Sequence, residues 1–284
     1  MDFDNATRQG TGTGEWCESY KNIGTGCKND CKYCYARYNS EIRWKKTPLG
    51  TWIEEKINWK AIAKPVKKVK GVVMFPTTHD ITETYLKPAQ VAILKLLAAG
   101  NKILIVTKPR LTVFMQLIEY LEKTDKYLNH LKIRENILFR ISITGTEDTT
   151  SKFWEPGAPP PSERILCLQL AHTRGFQTSV SCEPILPGPI SYPTMGMMIY
   201  QYCKQYITDT IWFGTLNDAK NRIPGATPDM LATISEFQSD DMVLRLVNEL
   251  SPPQLHPKVR WKDTVKKIIE KDLHERNKNV STFF

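Results

Sequence analysis

The chain has no long apolar run, no internal repeat and no low-complexity segment. No stretch approaches the roughly 18 uninterrupted apolar residues of a membrane helix, so we expect no membrane-spanning segment. The first residues, Met1–Asn5, hold no basic segment followed by an apolar one, so the sequence predicts no secretory signal and a cytoplasmic location. We therefore expect a protein that acts without contacting a membrane.

The charge balance and the cysteine content give the next indications. The formal net charge of the 284 residues is +9, which favours a polyanionic partner without identifying one. In a reducing compartment, the seven cysteines are better interpreted as metal ligands, catalytic thiols or buried apolar side chains than as disulfides. The cysteines are therefore candidates for a metal or catalytic site.

Short β-rich runs alternate with amphipathic helical segments along most of the chain, a pattern typical of parallel βαβ units. With one early strand the count is about six, fewer than the eight of a closed barrel. The sequence therefore predicts an α/β fold, a partial (β/α)6 barrel of the TIM type in residues 1–220, with a helical extension in residues 221–284. The predicted strands are 15–23, 71–76, 102–107, 137–143, 177–181 and 210–213, and the predicted helices are 88–99, 111–131, 162–173, 193–207, 229–250 and 261–273.

Three cysteines lie together in one glycine-bearing segment. Cys27, Cys31 and Cys34 have the spacing C-x3-C-x2-C, and thiolates suit iron–sulfur clusters and zinc alike. A structural zinc site normally has four protein ligands, whereas three thiolates on a [4Fe-4S] cluster leave one iron open, as chelation by S-adenosylmethionine (SAM) requires. The alternative is a zinc site completed by Cys17 or by a distant histidine.

Six short segments between about Gly24 and Lys267 match one known family, and several of them fall at predicted strand ends. They are Cys31–Tyr35, Phe75–Asp80, Ile105–Lys108, Ile141–Thr144, Cys182–Pro184 and Ile211–Gly214. On these segments the chain resembles the radical SAM superfamily, and within it the spore photoproduct lyase-like branch, often described as DNA repair photolyase-like. The resemblance implies a [4Fe-4S] cluster, SAM as cofactor, and reductive cleavage of SAM to a 5′-deoxyadenosyl radical.

The resemblance also implies a set of SAM-binding residues. It places Lys108 and Ser142 at the SAM carboxylate, where an ammonium and a hydroxyl at adjacent strand ends can hold an anion. The loop after the second barrel strand meets the methionyl end of SAM, and there Thr77 and Thr78 offer hydroxyl groups. Glu183 follows the fifth strand and could bind the SAM ribose, the SAM amino group or the substrate, or else pair with a barrel lysine.

Five further residues are candidates for a catalytic role. His79 and Asp80 form an ionisable pair at the predicted mouth of the barrel. Tyr33 and Tyr35 flank Cys34 as in spore photoproduct lyase, where tyrosines help to return the hydrogen atom, although they could equally pack over the cluster. Cys182 could donate a hydrogen atom or be a buried structural cysteine. The lyase carries its hydrogen-donor cysteine in the loop that holds Thr77, Thr78 and His79 here, so the resemblance does not extend to that donor.

The leading hypothesis is hydrogen abstraction from a nucleobase or nucleotide, in particular in DNA, with a flavodoxin- or ferredoxin-type protein as electron donor. Trp154 and Trp261 could stack on a base. The other hypotheses are radical chemistry on a peptide or small metabolite, and a non-catalytic zinc or nucleic-acid binding module. The candidates for phosphate contacts are Lys67, Lys68, Lys70, Arg260, Lys262, Lys266 and Lys267.

Overall fold

A computed structural model describes Phe3, residues 10–252 and residues 256–281, with the side chains of residues 279–281 left out. Parts of the Met1–Asn5 segment and of the predicted extension at 221–284 lie outside the described residues. None of the helices that the structure describes has the length and apolarity needed to cross a membrane.

Seven strands form one parallel sheet in which the strands follow one another in chain order. Neighbouring strands pair in parallel from one edge to the other, and two further short strands, β2 (Gly24–Thr25) and β3 (Lys56–Ile57), form a separate antiparallel pair. The predicted open α/β barrel is thereby confirmed. The sheet contains β1 (Ser19–Tyr20), β4 (Val72–Phe75), β5 (Lys102–Thr107), β6 (Ile137–Ser142), β7 (Gln177–Cys182), β8 (Ile211–Phe213) and β9 (Val259–Trp261).

Helices connect successive strands, as parallel pairing requires. The longer connecting helices agree with the predicted helices to within a few residues; they span Leu86–Ala98, Leu111–Tyr127, Pro161–Thr173 and Tyr192–Cys203. The helices are α1 (Tyr35–Arg37), α2 (Trp59–Ala63), α3 (Leu86–Ala98), α4 (Leu111–Tyr127), α5 (Ile133–Asn136), α6 (Asp148–Trp154), α7 (Pro161–Thr173), α8 (Tyr192–Cys203), α9 (Ala219–Arg222), α10 (Pro228–Phe237), α11 (Asp240–Leu250) and α12 (Asp263–Ser281).

The C-terminal part differs from the prediction in two places. The predicted helix 229–250 is two helices, α10 and α11, separated at Gln238–Ser239. The predicted helix 261–273 is preceded by β9, which pairs with β8 and makes Trp261 a strand residue. The part of the chain predicted as a helical extension thus also contributes a seventh strand, while the division into two domains at residue 220 stays a prediction.

The two faces of the sheet have different neighbours because strand side chains alternate in direction. On β5, Ile103 and Ile105 belong to the large core formed with the helices. Leu104 belongs to a smaller cluster on the other face, together with Trp16 and Trp212. The face of the sheet that is turned away from the helices therefore has an apolar cluster of its own.

Candidate functional site

A cavity of about 510 Å³ lies at the carboxyl ends of the strands, the edge at which parallel α/β folds place their chemistry. The structure brings to this one cavity all the predicted site residues except Cys182. These residues are Cys27, Cys31, Cys34, Tyr33, Tyr35, Thr77, Thr78, His79, Asp80, Lys108, Ser142 and Glu183. Their roles stay predictions, but their grouping around a single cavity is a property of the fold.

The cysteine loop is held by main-chain contacts with the segment that follows it. The Cys27 amide donates to the carbonyl of Trp52 over 2.8 Å. Gly26 has a φ of +91°, and a β-carbon there would collide with the carbonyl of Glu54. Only glycine combines this backbone conformation with so close an approach, so Gly26 sets the path of the loop into Cys27.

Asp80 joins the cysteine loop to two strand ends. One carboxylate oxygen accepts from the Asn29 amide at 2.7 Å and from the Lys108 main-chain amide at 2.8 Å. The other accepts from the Ile81 amide at 2.7 Å and from the Thr107 hydroxyl. Because all four donors are fixed by the fold, Asp80 acts as a tie between the loop and the sheet.

His79 differs from the prediction that it forms an ionisable pair with Asp80. Its Nε2 accepts from the Ile23 amide at 3.2 Å, and its Nδ1 lies 2.9 Å from the Asp80 carbonyl. The ring packs on Tyr85 with centroids 4.3 Å apart. Burial lowers the pKa of His79. Both ring nitrogens are therefore used by the main chain, and the neutral histidine supports the loop.

A buried ionic cluster that the sequence did not reveal lies behind Cys31. Glu155 and Arg164 are fully buried and paired. The Tyr33 hydroxyl donates to Glu155, and the Lys108 ammonium lies 3.6 Å from the same carboxylate. Burial alone would raise the pKa of Glu155, but the positive charges of Arg164 and Lys108 lower it to about 2. Glu155 is therefore ionised and holds Lys108 and Tyr33 beside the cysteines.

Little in the sequence indicates this ionic cluster. Glu155 is followed by a proline-rich stretch and Arg164 lies near the start of α7. Both would ordinarily be taken for surface residues. Their pairing depends on the packing of α6 against α7, which a local sequence pattern does not reveal.

Another buried cation, Lys262, lies next to the cavity-lining residue Glu183. Lys262 is fully buried, with its ammonium 2.8 Å from Glu15 and 3.6 Å from Glu183. It also donates to the Gly12 carbonyl at 2.6 Å and lies 4.1 Å from the centre of the Trp16 ring. The prediction that Lys262 contacts phosphates is wrong, because the ammonium is enclosed. The alternative that Glu183 pairs with a barrel lysine describes the arrangement found.

Three further predicted roles are not supported by position. Cys182 is fully buried in the core formed with the helices, because strand alternation directs its neighbours Ser181 and Glu183 to the cavity. Trp154 is 4% exposed, and its indole donates to the Pro187 carbonyl, so it offers no face to a base. The Lys67–Lys70 run precedes β4 and hydrogen-bonds Asn101 before β5, at the edge of the sheet opposite the cavity.

The Cys27 and Cys31 thiols are protonated in the protein alone. Burial raises the pKa of Cys27 well above its ordinary value, and it raises the pKa of Cys31 to about 12 despite the opposing influence of Lys108. Cys34 accepts a hydrogen bond of 3.4 Å from the Arg37 amide. Ligation by a cationic metal centre would release these protons.

The donor groups around the cysteine loop bear on the two metal hypotheses. Across the part of the chain that the structure describes, no three carboxylate, imidazole or thiol groups converge closely enough to hold one metal ion. A zinc site needs such convergence. An iron–sulfur cluster does not, because each thiolate binds a different iron. Cys17, the proposed fourth zinc ligand, instead donates to the Thr13 carbonyl at 3.4 Å. Three thiols beside one cavity have the donor chemistry of an iron–sulfur cluster.

Comparison with known proteins gives relatives without an assigned role. No protein-family model matches the chain. The chain is 31% identical over 180 residues to the uncharacterized protein ORF301 of Acidianus two-tailed virus, over 58% of this chain and 55% of that one. It is 26% identical over 165 residues to the uncharacterized protein MJ0683 of Methanocaldococcus jannaschii, over 57% of this chain and 58% of that one. The chain thus matches little more than half the length of these curated relatives.

Two solved structures share the fold. A tyrosine-to-phenylalanine mutant of spore photoproduct lyase matches with a TM-score of 0.54 and 15% identity, over 90% of this chain and 79% of that one. A cysteine-to-alanine mutant of the same lyase, with a dinucleoside spore photoproduct, matches with a TM-score of 0.51 and 14% identity, over 78% and 75% of the two chains. At this level of identity the likeness establishes the fold.

Proposed function

We propose that this protein is a radical SAM enzyme, in which Cys27, Cys31 and Cys34 hold a [4Fe-4S] cluster. The observation that carries the proposal is the position of these three thiols in one cavity with the strand-end residues that the resemblance assigns to SAM. The shared fold with spore photoproduct lyase supports it. When bound, the cluster and SAM supply a 5′-deoxyadenosyl radical that abstracts hydrogen from a substrate carbon.

The protein's own residues prepare the cavity for an anionic group of SAM. Burial lowers the pKa of Lys108, but the neighbouring ionised carboxylate of Glu155 raises it, so Lys108 carries its charge at neutral pH. Ser142 lines the same wall, on the neighbouring strand. An ammonium and a hydroxyl on adjacent strand ends bind a carboxylate through charge-assisted hydrogen bonds. We assign the SAM carboxylate to these two residues.

The substrate we propose is a nucleobase or nucleotide. One lyase structure of the same fold holds a dinucleoside photoproduct, and the net charge of +9 favours a polyanion. Glu183, Thr215 and Asn217 also line the cavity, and their side chains can donate and accept hydrogen bonds with the edge of a base. An acidic flavodoxin- or ferredoxin-type protein is the proposed electron donor.

The test is formation of 5′-deoxyadenosine. The protein is reconstituted anaerobically with iron and sulfide, given SAM and dithionite, and assayed with and without oligonucleotides. We expect 5′-deoxyadenosine from the wild type and from Cys203→Ala, whose thiol is buried in the core, and none from Cys31→Ala. A protein that binds zinc, lacks iron–sulfur absorbance and forms no 5′-deoxyadenosine would overturn the proposal.

A further inference from the structure

An exposed aromatic and basic segment lies beside the cysteine loop. Residues 42–53, here called the rim segment, contain three cations and no acidic residue. Trp44 is 54% exposed and Leu49 is 75% exposed. Large apolar side chains at this exposure, grouped in one short segment, mark a surface that contacts another molecule. The exposed side chains of the rim segment are Ile42, Arg43, Trp44, Lys45, Lys46, Pro48, Leu49 and Ile53.

The rim segment is fixed at the opening of the cavity. Its one buried member, Trp52, lines the cavity and packs with Cys27 and Ala36. The segment begins within the π-helical turn over Tyr38–Arg43, which continues directly from the helix after Cys34. The rim segment is therefore joined to the cavity through Trp52 and through the turn that follows Cys34.

The cations of the rim segment are available to a ligand. Arg43, Lys45 and Lys46 have no salt-bridge partner among the residues that the structure describes. The Lys46 ammonium lies 4.8 Å from the centre of the Trp44 ring, so a charge and an aromatic face stand side by side. Arg222 of α9 is another cation that lines the cavity, 5.9 Å from the centre of the Tyr35 ring.

We propose that the rim segment binds single-stranded nucleic acid. Trp44 provides a stacking face for a base, while Arg43, Lys45 and Lys46 contact the phosphates on either side. An acidic electron-donor protein would also be attracted by three cations, but the exposed indole beside an ammonium fits an unpaired base better. Binding itself stands apart from the radical chemistry; its role in delivering a substrate rests on the proposed function.

The test measures affinity for a fluorescein-labelled oligothymidylate by fluorescence anisotropy over a range of salt concentrations. We expect Trp44→Ala to weaken binding at least about fivefold with an unchanged salt slope, and Trp44→Phe to retain most of the affinity. Changing Arg43, Lys45 and Lys46 together to alanine should reduce the slope of log K against log salt by about two. The matched control changes Lys67, Lys68 and Lys70 to alanine, which removes the same charge from exposed positions at the opposite edge of the sheet.

Three outcomes would overturn the inference. They are unchanged affinity in Trp44→Ala, equal losses in the two triple variants, and tighter binding of a duplex of the same sequence than of the single strand. The inference is also wrong if the rim variants slow reduction of the protein by flavodoxin but leave its affinity for the oligonucleotide unchanged. Formation of 5′-deoxyadenosine without oligonucleotide is measured in parallel. If it fails while rim-dependent binding persists, the proposed function is wrong and the binding surface stands.

Discussion

The side-chain amide of Asn29 donates a 2.7 Å hydrogen bond to Asp80, and this bond ties the middle of the cysteine loop to the ends of β4 and β5. Asn29 lies between Cys27 and Cys31, so the bond fixes the segment that carries two of the three thiols. A cluster loop positioned before metal arrives loses less conformational freedom on ligation.

Asn29→Ala should therefore weaken cluster retention by about tenfold or more, since a hydrogen bond to a charged group contributes about 1.5–3 kcal/mol. The measurement is the rate of iron release from the reconstituted protein to a chelator. Asn221→Ala removes an exposed bond of the same length, 2.7 Å to Asp218, and should leave the rate unchanged. Equal rates in all three proteins would show that the loop does not depend on Asp80.

Glu155→Gln should cost about 3–5 kcal/mol of the free energy of unfolding, because it leaves Arg164 buried without its countercharge. Urea unfolding measures the loss. The control is Asp241→Asn, which breaks an exposed pair with Arg245 and should change stability by no more than about 0.5 kcal/mol. A small effect in both variants would contradict the assigned importance of the buried pair.

The same carboxylate predicts a dependence on pH. Arg164 and Lys108 hold the pKa of Glu155 at about 2, below its ordinary value of 4.5, against the effect of burial. The stability that ionised Glu155 contributes is present above pH 4.5 and is lost as the pH falls towards 2. The free energy of unfolding of wild type should fall more steeply over this window than that of Glu155→Gln. Parallel curves would be inconsistent with the lowered pKa.

Lys262→Met should destabilise the protein by about 3–5 kcal/mol, because the Glu15 carboxylate is buried and Lys262 is its enclosed partner. Lys266→Met is the matched control. Lys266 faces the same carboxylate at 3.6 Å with a side chain that is 52% exposed, and its loss should cost no more than about 1 kcal/mol. Thermal or urea unfolding separates the two variants, and similar losses would refute the distinction.

Lys108→Met should weaken SAM binding by about tenfold or more, the effect of removing a charge-assisted hydrogen bond. Titration calorimetry of SAM into the reconstituted protein gives the affinity. Lys102 lies at the other end of β5, so the control variant Lys102→Met should bind SAM with the affinity of the wild type. Unchanged binding by Lys108→Met would remove Lys108 from the SAM site.

The sequence predicted best where local pattern and tertiary structure agree. The strand at 102–107 has the bounds of β5 because a β-branched run is enclosed between Gly100 and Pro109. The strand β9 was missed, since three residues before a helix give no period. Strand alternation could have separated cavity-facing Glu183 from core-facing Cys182. The Glu155–Arg164 pair could not be predicted, because it arises from contacts between helices.

The most direct test of the account is electron paramagnetic resonance of the dithionite-reduced, reconstituted protein with and without SAM. The account predicts a [4Fe-4S] signal that changes when SAM is added, that is lost in alanine variants of Cys27, Cys31 or Cys34, and that persists in Cys167→Ala and Cys203→Ala. A signal that SAM leaves unchanged, or one that survives loss of Cys31, would contradict a cluster held by these three thiols with an iron open to SAM.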